Sequence, residues 1–123
     1  MESKIPAIDT LLLTCPETAP EPEELCNALE LALLNATQVR NFRRIEYPTT
    51  PIAGEFVVSF RVTQSGPSLL EGYLEWQSHG AAAQQGPVVT LSVEDATLDT
   101  SLYGRFAASL IEISDMPIAL GKL

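Results

Sequence analysis

Residues 56–76, which read FVVSFRVTQSGPSLLEGYLEW, decide the fold of this chain. Apolar and polar side chains alternate through both halves of the stretch, and the same alternation returns further along the chain. Successive side chains of a β-strand point to opposite faces of a sheet, so each run is predicted to be a strand with one apolar face. The alternating apolar positions are Phe56, Val58, Phe60 and Val62, then Leu70, Leu74 and Trp76, then Val89, Leu91 and Val93.

Turn residues and shorter apolar runs place the remaining strands. Gly66 and Pro67 separate the first two runs and predict a hairpin, so the strands that they join are expected to be antiparallel. The longer stretch 78–87 is predicted to be the loop of a second hairpin. Residues 39–47 alternate imperfectly and carry arginines, which is typical of an edge strand. A short strand is predicted at 11–15, either paired in parallel with a later strand or lying at the sheet edge.

Two amphipathic helices are predicted, one before and one after these later strands in the sequence. Pro-Glu-Glu at 22–24 is typical of a first helical turn, since proline loses no hydrogen bond there and glutamates face the positive end of the helix dipole. The second helix is predicted to start near the capping residues Asp-Thr-Ser at 99–101. Apolar residues at helical spacing are Leu25, Leu29, Ala32, Leu33 and Ala36, widened by Leu31 and Leu34, and then Leu102, Phe106, Leu110 and Ile113.

Together these elements predict an α+β fold. The expected architecture is a two-layer sandwich in which a mainly antiparallel sheet of four to five strands carries two helices on one face, in the order β-α-β-β-β-β-α. A chain of 123 residues with 46% apolar content fits a single domain, residues 1–123, with one core.

The charge balance argues against one class of partner. Sixteen acidic and seven basic residues give a formal net charge of -9, which repels nucleic acid. The apolar runs are too short to cross a membrane, and no Gly-rich phosphate loop or other cofactor motif occurs. We therefore expect no nucleic acid, no membrane and no cofactor among the partners.

Cys15 and Cys26 are the two cysteines of the chain. A disulfide framework normally uses more, so buried free thiols are expected, although a single bridge between these two is possible. Free thiols fit a reducing cytosol, and the first six residues do not resemble a signal peptide. A cytoplasmic location is therefore predicted.

The side chains that could carry out catalysis lack the partners that catalysis requires. His79 has no nearby acid or base in sequence, and the glutamates beside Cys26 oppose a thiolate. The two thiols with His79 do not match a zinc pattern. Glu71 and Glu75 are explained by solvation of a sheet face, and the carboxylates at 94, 95 and 99 by capping rather than by a cation site. No catalytic residue and no metal ligand are predicted, so the sequence favours a non-catalytic chain over an enzyme.

Two binding surfaces are predicted, and each implies a different function. Residues that alternate on the polar side of the strands form a partly apolar patch on the open sheet face: Val57, Ser59, Tyr73, Val88 and Thr90. Such a patch, or an exposed edge strand, predicts a non-catalytic binding or assembly domain that forms a homodimer or binds another protein. The alternative is a small-molecule binder or minor enzyme with a pocket between helix and sheet, where an anionic ligand would meet Arg40, Arg43, Arg44, Arg61 and Trp76. The same arginines are equally explained as ion-pair partners of the chain's own glutamates.

Overall fold

A computed structural model describes residues 9–15, 22–37, 39–93 and 100–114. Within these ranges six strands and two helices follow one another along the chain. They are β1 (Thr10–Thr14), α1 (Pro22–Ala36), β2 (Asn41–Ile45), β3 (Glu55–Gly66), β4 (Leu69–Ser78), β5 (Gln84–Gln85), β6 (Val89–Ser92) and α2 (Thr100–Ser114). The α+β class and the two-layer arrangement, with both helices on one face of the sheet, are confirmed.

The strand order differs from the expected run of four antiparallel neighbours. The sheet has the order β2-β1-β3-β4-β5, and β6 also pairs with β4. β1 therefore lies between β2 and β3 and pairs in parallel with both, while β3, β4, β5 and β6 form antiparallel pairs. The prediction that β2 and β3 are antiparallel neighbours is wrong, because α1 carries the chain back along β1 and so makes β2 parallel to it. The prediction that β2 is an edge strand is confirmed.

The core lies between the sheet and the two helices. Every second residue of β3 and β4 points into it, as the alternation predicts, and Phe60 and Trp76 are both buried there. The Phe60 ring stacks edge-on against Phe106 of α2, with centroids 5.7 Å apart. Gly72 leaves room for that ring, since a Cβ atom at this position would lie 2.6 Å from the tip of Phe60.

The helices bury narrower faces than the sequence predicts. Leu25, Leu29 and Leu33 of α1 are buried, but Leu31 is 61% exposed and Leu34 is also exposed. In α2 the predicted residue Ile113 is exposed, and Tyr103 is buried instead. The two helices lie side by side, and small residues such as Ala32 and Ala108 line the cleft between them. Each helix therefore buries one narrow apolar face against the sheet, and its opposite side is exposed to solvent.

The face of the sheet away from the helices is only partly open. β2 ends beside Thr14 and β3 begins beside Thr10, so residues 46–54 must run back along β1. The first crossover, through α1, moves from β1 to β2, whereas the second, residues 46–54, moves the opposite way across the sheet, from β2 past β1 to β3. Because crossovers between parallel strands are right-handed, the second one lies on the face of the sheet away from α1. Val57 is 4% exposed and Ser59 is also buried on that face. The expectation that these two residues form an exposed interface is therefore wrong.

Cys15 and Cys26 form a disulfide with their Cα atoms 5.7 Å apart. The expectation of free thiols is wrong, because Cys15 at the end of β1 lies directly beneath the second turn of α1, and Cys26 points inward there. The bridge ties the end of a central strand to the helix layer.

Candidate functional site

The central strands of the sheet differ in length, and this creates a step. β3 has twelve residues, but β1 pairs only with the first five of them, Glu55–Ser59. The disulfide holds Cys15, the residue that follows β1, against α1. Within the described residues, no strand occupies the β1 side of β3 from Phe60 to Val62. Among the residues that the structure describes, the main chain of β3 therefore has no strand beside it over this stretch.

A cavity of about 690 Å³ opens beside this edge, on the face away from the helices. We call it the strand-end notch. Three parts of the chain contribute to it: the end of β1, the segment that follows β2, and the middle of β3 and β4. Its lining residues are Thr14, Cys15, Glu46, Tyr47, Pro48, Ser59, Phe60, Arg61, Val62, Tyr73 and Glu75.

Thr14 supplies a buried hydroxyl group to the notch. Thr14 is 9% exposed, and its Oγ1 has no hydrogen-bond partner in the part of the chain that the structure describes. A buried hydroxyl without a partner costs free energy, about 1–3 kcal/mol. A ligand that gives or takes a hydrogen bond at this atom would recover that cost.

The rim of the notch combines charge with aromatic rings. Arg61 donates from Nε to Oε1 of Glu75 over 2.8 Å. In the β3–β4 register Arg61 is opposite Tyr73 and Glu75 is opposite Ser59, so Arg61 and Glu75 are diagonal neighbours on one face of the sheet. Tyr47 is 73% exposed, and Glu46 beside it is also exposed. Tyr73, which is adjacent to Arg61 in the β3–β4 register, completes the rim.

A bulge limits the free edge at its far side. The β3–β4 register shifts between Val62 and Gln64, and bulges of this kind twist a strand and discourage further pairing.

Thr63 and Thr90 both donate to the Glu71 carboxylate over 2.8 Å. These hydrogen bonds, the one from Thr63 first, lower the pKa of Glu71 because they favour its charged form.

The predicted arginine site does not assemble. Arg44 points toward α1, where its guanidinium lies 2.7 Å from Glu30, 3.2 Å from Glu23 and 2.6 Å from Asn27. Arg43 points to the other face of the sheet, 3.9 Å from Glu55. The reading of these residues as internal ion-pair partners is the one that the structure supports.

The remaining predicted ligand residues are also dispersed. Arg61 lies in the notch but is paired with Glu75. Arg40 is exposed next to β2, and its backbone N–H donates to the carbonyl of Asp9. Trp76 is 7% exposed within the core, and it lines neither the notch nor the cleft between the helices. The structure brings no pair of these predicted residues together.

The predicted interface patch divides in the same way. Of its five residues, Tyr73 and Ser59 line the notch, and Ser59 is buried there with Val57 beside it in β3. Thr90 is exposed and donates to Glu71, and Val88 is exposed just before β6. Tyr73 is thus the member of the patch that is both accessible and part of a cavity.

None of the catalytic candidates acquires a catalytic arrangement among the residues that the structure describes. The disulfide removes both thiols as nucleophiles or zinc ligands. The ring of His79 lies 3.3 Å from the carbonyl of Pro51, and Glu71 and Glu75 are each held by hydrogen-bond donors. No group of three metal-binding side chains occurs in the described ranges, and the carboxylates at 94, 95 and 99 lie outside them.

A second cleft, of about 460 Å³, lies between the exposed sides of α1 and α2. Small apolar residues such as Ala32 and Ala108 form its floor, and Leu31 forms part of its wall. It carries two polar side chains, Asn35 and Glu112. Nothing in the structure shows what would cover it.

Sequence reasoning missed Thr14, Glu46 and Tyr47 as site residues. The signal that could have identified them is the difference in strand length, because the apolar run at 11–13 is much shorter than the alternation from 56 to 62. A short strand beside a long one must leave part of the long one unpaired.

The sequence matches no protein-family model, and neither curated proteins nor solved structures match it significantly. Among the described residues, no helix is long and apolar enough to span a membrane.

Proposed function

We propose that this chain is a non-catalytic binding domain that accepts an extended segment of a partner protein as an additional strand. The segment would pair with the main chain of β3 at Phe60–Val62, in line with β1. This extends the sequence-based expectation of a binding domain that works through an edge strand.

The observation that carries the proposal is that the middle of β3, next to a cavity, has no pairing strand on its β1 side in the described ranges. An extended partner gains main-chain hydrogen bonds from a free edge and specificity from pockets that take alternate side chains. β3 provides the edge from Phe60 onward, and the strand-end notch lies on one face of it. The outer edge of β2 is a weaker candidate, because it carries Arg43 and Arg44, and charged side chains on an edge strand discourage further pairing.

A partner other than a second copy of the chain is favoured. Each copy carries a net charge of -9, so two copies repel each other at long range. Self-association through the sheet face stays a prediction, but the burial of Val57 and Ser59 leaves it less surface than the sequence suggested.

The disulfide supports an oxidising compartment as the place where the protein works. Disulfides form and persist in such compartments and are rare in a reducing cytosol. The expectation of a cytoplasmic location depended on free thiols, and the Cys15–Cys26 bridge removes that argument.

Selection from a random library of linear decapeptides on the immobilised protein tests the proposal. The selected peptides should slow hydrogen exchange at the amides of Phe60–Val62, measured by mass spectrometry or NMR. N-methylation of alternate peptide amides should abolish this protection, since it removes main-chain donors and keeps every side chain.

Three outcomes would overturn the proposal. If the library yields no binder, or if the protected amides lie at the cleft between α1 and α2, the β3 edge is not the binding site. If light scattering shows a dimer of the free chain that Tyr73→Glu dissociates, the occupant is a second copy.

A further inference from the structure

We infer that the strand-end notch binds a basic side chain, lysine or arginine, of the partner segment. This inference rests on the proposed function and specifies which partner the free edge accepts. It is carried by the composition of the notch together with the unpartnered hydroxyl of Thr14.

The charges that face the notch favour a cation. Its charged groups are Glu46, Glu75 and Arg61, which sum to one negative charge. Glu75 uses Oε1 in its bond to Arg61, and this leaves Oε2 for a ligand. The chain as a whole is acidic, with a net charge of -9, so the surrounding potential also attracts a cation.

The apolar lining suits the rest of a long basic side chain. Tyr47 and Tyr73 both line the notch, and aromatic faces attract ammonium and guanidinium groups. Lysine and arginine also place their aliphatic stems on apolar surface and keep the charged end with polar groups. Pro48 also lines the notch and offers such a surface.

Thr14 gives the charged end a fixed partner. Its Oγ1 is buried and has no hydrogen-bond partner among the described residues. An ammonium or guanidinium group carries only donors, so this oxygen can accept from it without competition. Glu75 and Thr14 line the same cavity, which gives the cation both a charged and a neutral acceptor.

The test uses the decapeptides selected as described above, and affinities are measured by isothermal titration calorimetry. We expect lysine or arginine at one fixed position of the selected peptides. Replacing that residue by norleucine, which keeps the stem and removes the charge, should weaken binding about tenfold, as expected for a partly desolvated cation–π contact with a charged acceptor.

Two protein variants should change the affinity in opposite directions. Glu75→Gln removes the charged acceptor and leaves Arg61 to repel the ligand, so the basic peptide should bind about fivefold more weakly, as expected for a partly exposed ion pair. Arg61→Gln frees both oxygens of Glu75, so the same peptide should bind more tightly. The norleucine peptide should respond to neither variant, and unchanged one-dimensional proton NMR spectra should show that both variants fold.

The outcomes separate this inference from the proposed function. Recognition of a basic side chain is overturned if the selected peptides are acidic or neutral, or if the norleucine peptide binds with equal affinity. In that case, protection of the Phe60–Val62 amides would still support strand pairing. A basic peptide that responds to Glu75→Gln but leaves those amides unprotected supports the notch and overturns strand pairing.

Discussion

Glu71 shows how single hydroxyl groups set the properties of the sheet face. Thr63 and Thr90 donate to different oxygens of its carboxylate, and both bonds favour the charged form. The pKa of Glu71 therefore lies below its usual value of 4.5, with the hydrogen bond from Thr63 as the largest cause. The two threonines offer isosteric substitutions to valine.

We predict that Thr63→Val raises the pKa of Glu71 toward its usual value, and more than Thr90→Val does. The pKa is lower in the folded than in the unfolded chain, so Glu71 stabilises the fold fully above the unfolded value, and this is lost as pH falls through the folded value. Thr63→Val should reduce this loss of stability upon acidification. NMR titration of the Glu71 carboxyl and urea unfolding at pH 7 and pH 3 would measure both effects. A smaller shift in Thr63→Val than in Thr90→Val would contradict the assignment.

Sequence reasoning assigned residues to faces correctly where neighbours were close in the chain. The alternation from Phe56 to Val62 fixed which side chains are buried against the helices, because the period of a strand is a local property. The burial of Val57 could not be predicted in this way, since it depends on residues 46–54 passing over the sheet. The unpartnered hydroxyl of Thr14 likewise depends on contacts with strands distant in sequence.

At the level of elements, the disulfide joins the two layers of the fold. Cys15 directly follows β1 and Cys26 lies in α1, with a sequence separation of 11 residues. We predict that the double variant Cys15→Ser, Cys26→Ser lowers the free energy of unfolding by about 3 kcal/mol, as closure of a loop of this size implies. Urea unfolding of the variant would measure this, and wild type treated with a dithiol reductant is the matched control. Equal stability of oxidised protein and variant would contradict a stabilising role.

Local sequence patterns could not predict the order of the strands in the sheet. Both helices and every strand except β5 could be placed from the sequence, whereas β5, Gln84–Gln85, lies in the stretch 78–87 that was predicted to be a loop. β1 was left with two possible positions. Its insertion between β2 and β3 is decided by the crossover through α1 and by burial of Leu11 and Leu13, which are properties of the assembled core. The free edge of β3 follows from that order, and for this reason the sequence predicted an edge strand as a binding surface without identifying the one proposed here.

At the level of the whole molecule, the net charge of -9 should control how fast a basic partner arrives. Charge attraction acts mainly on the association rate and is screened by salt, while short-range contacts set the dissociation rate. We predict that the association rate constant of the selected basic peptide falls about tenfold between roughly 20 mM and roughly 200 mM salt, with little change in its dissociation rate. Stopped-flow fluorescence of a labelled peptide would measure both, with the norleucine peptide as control. An association rate that does not depend on salt would mean that the partner is recognised without the field of the protein.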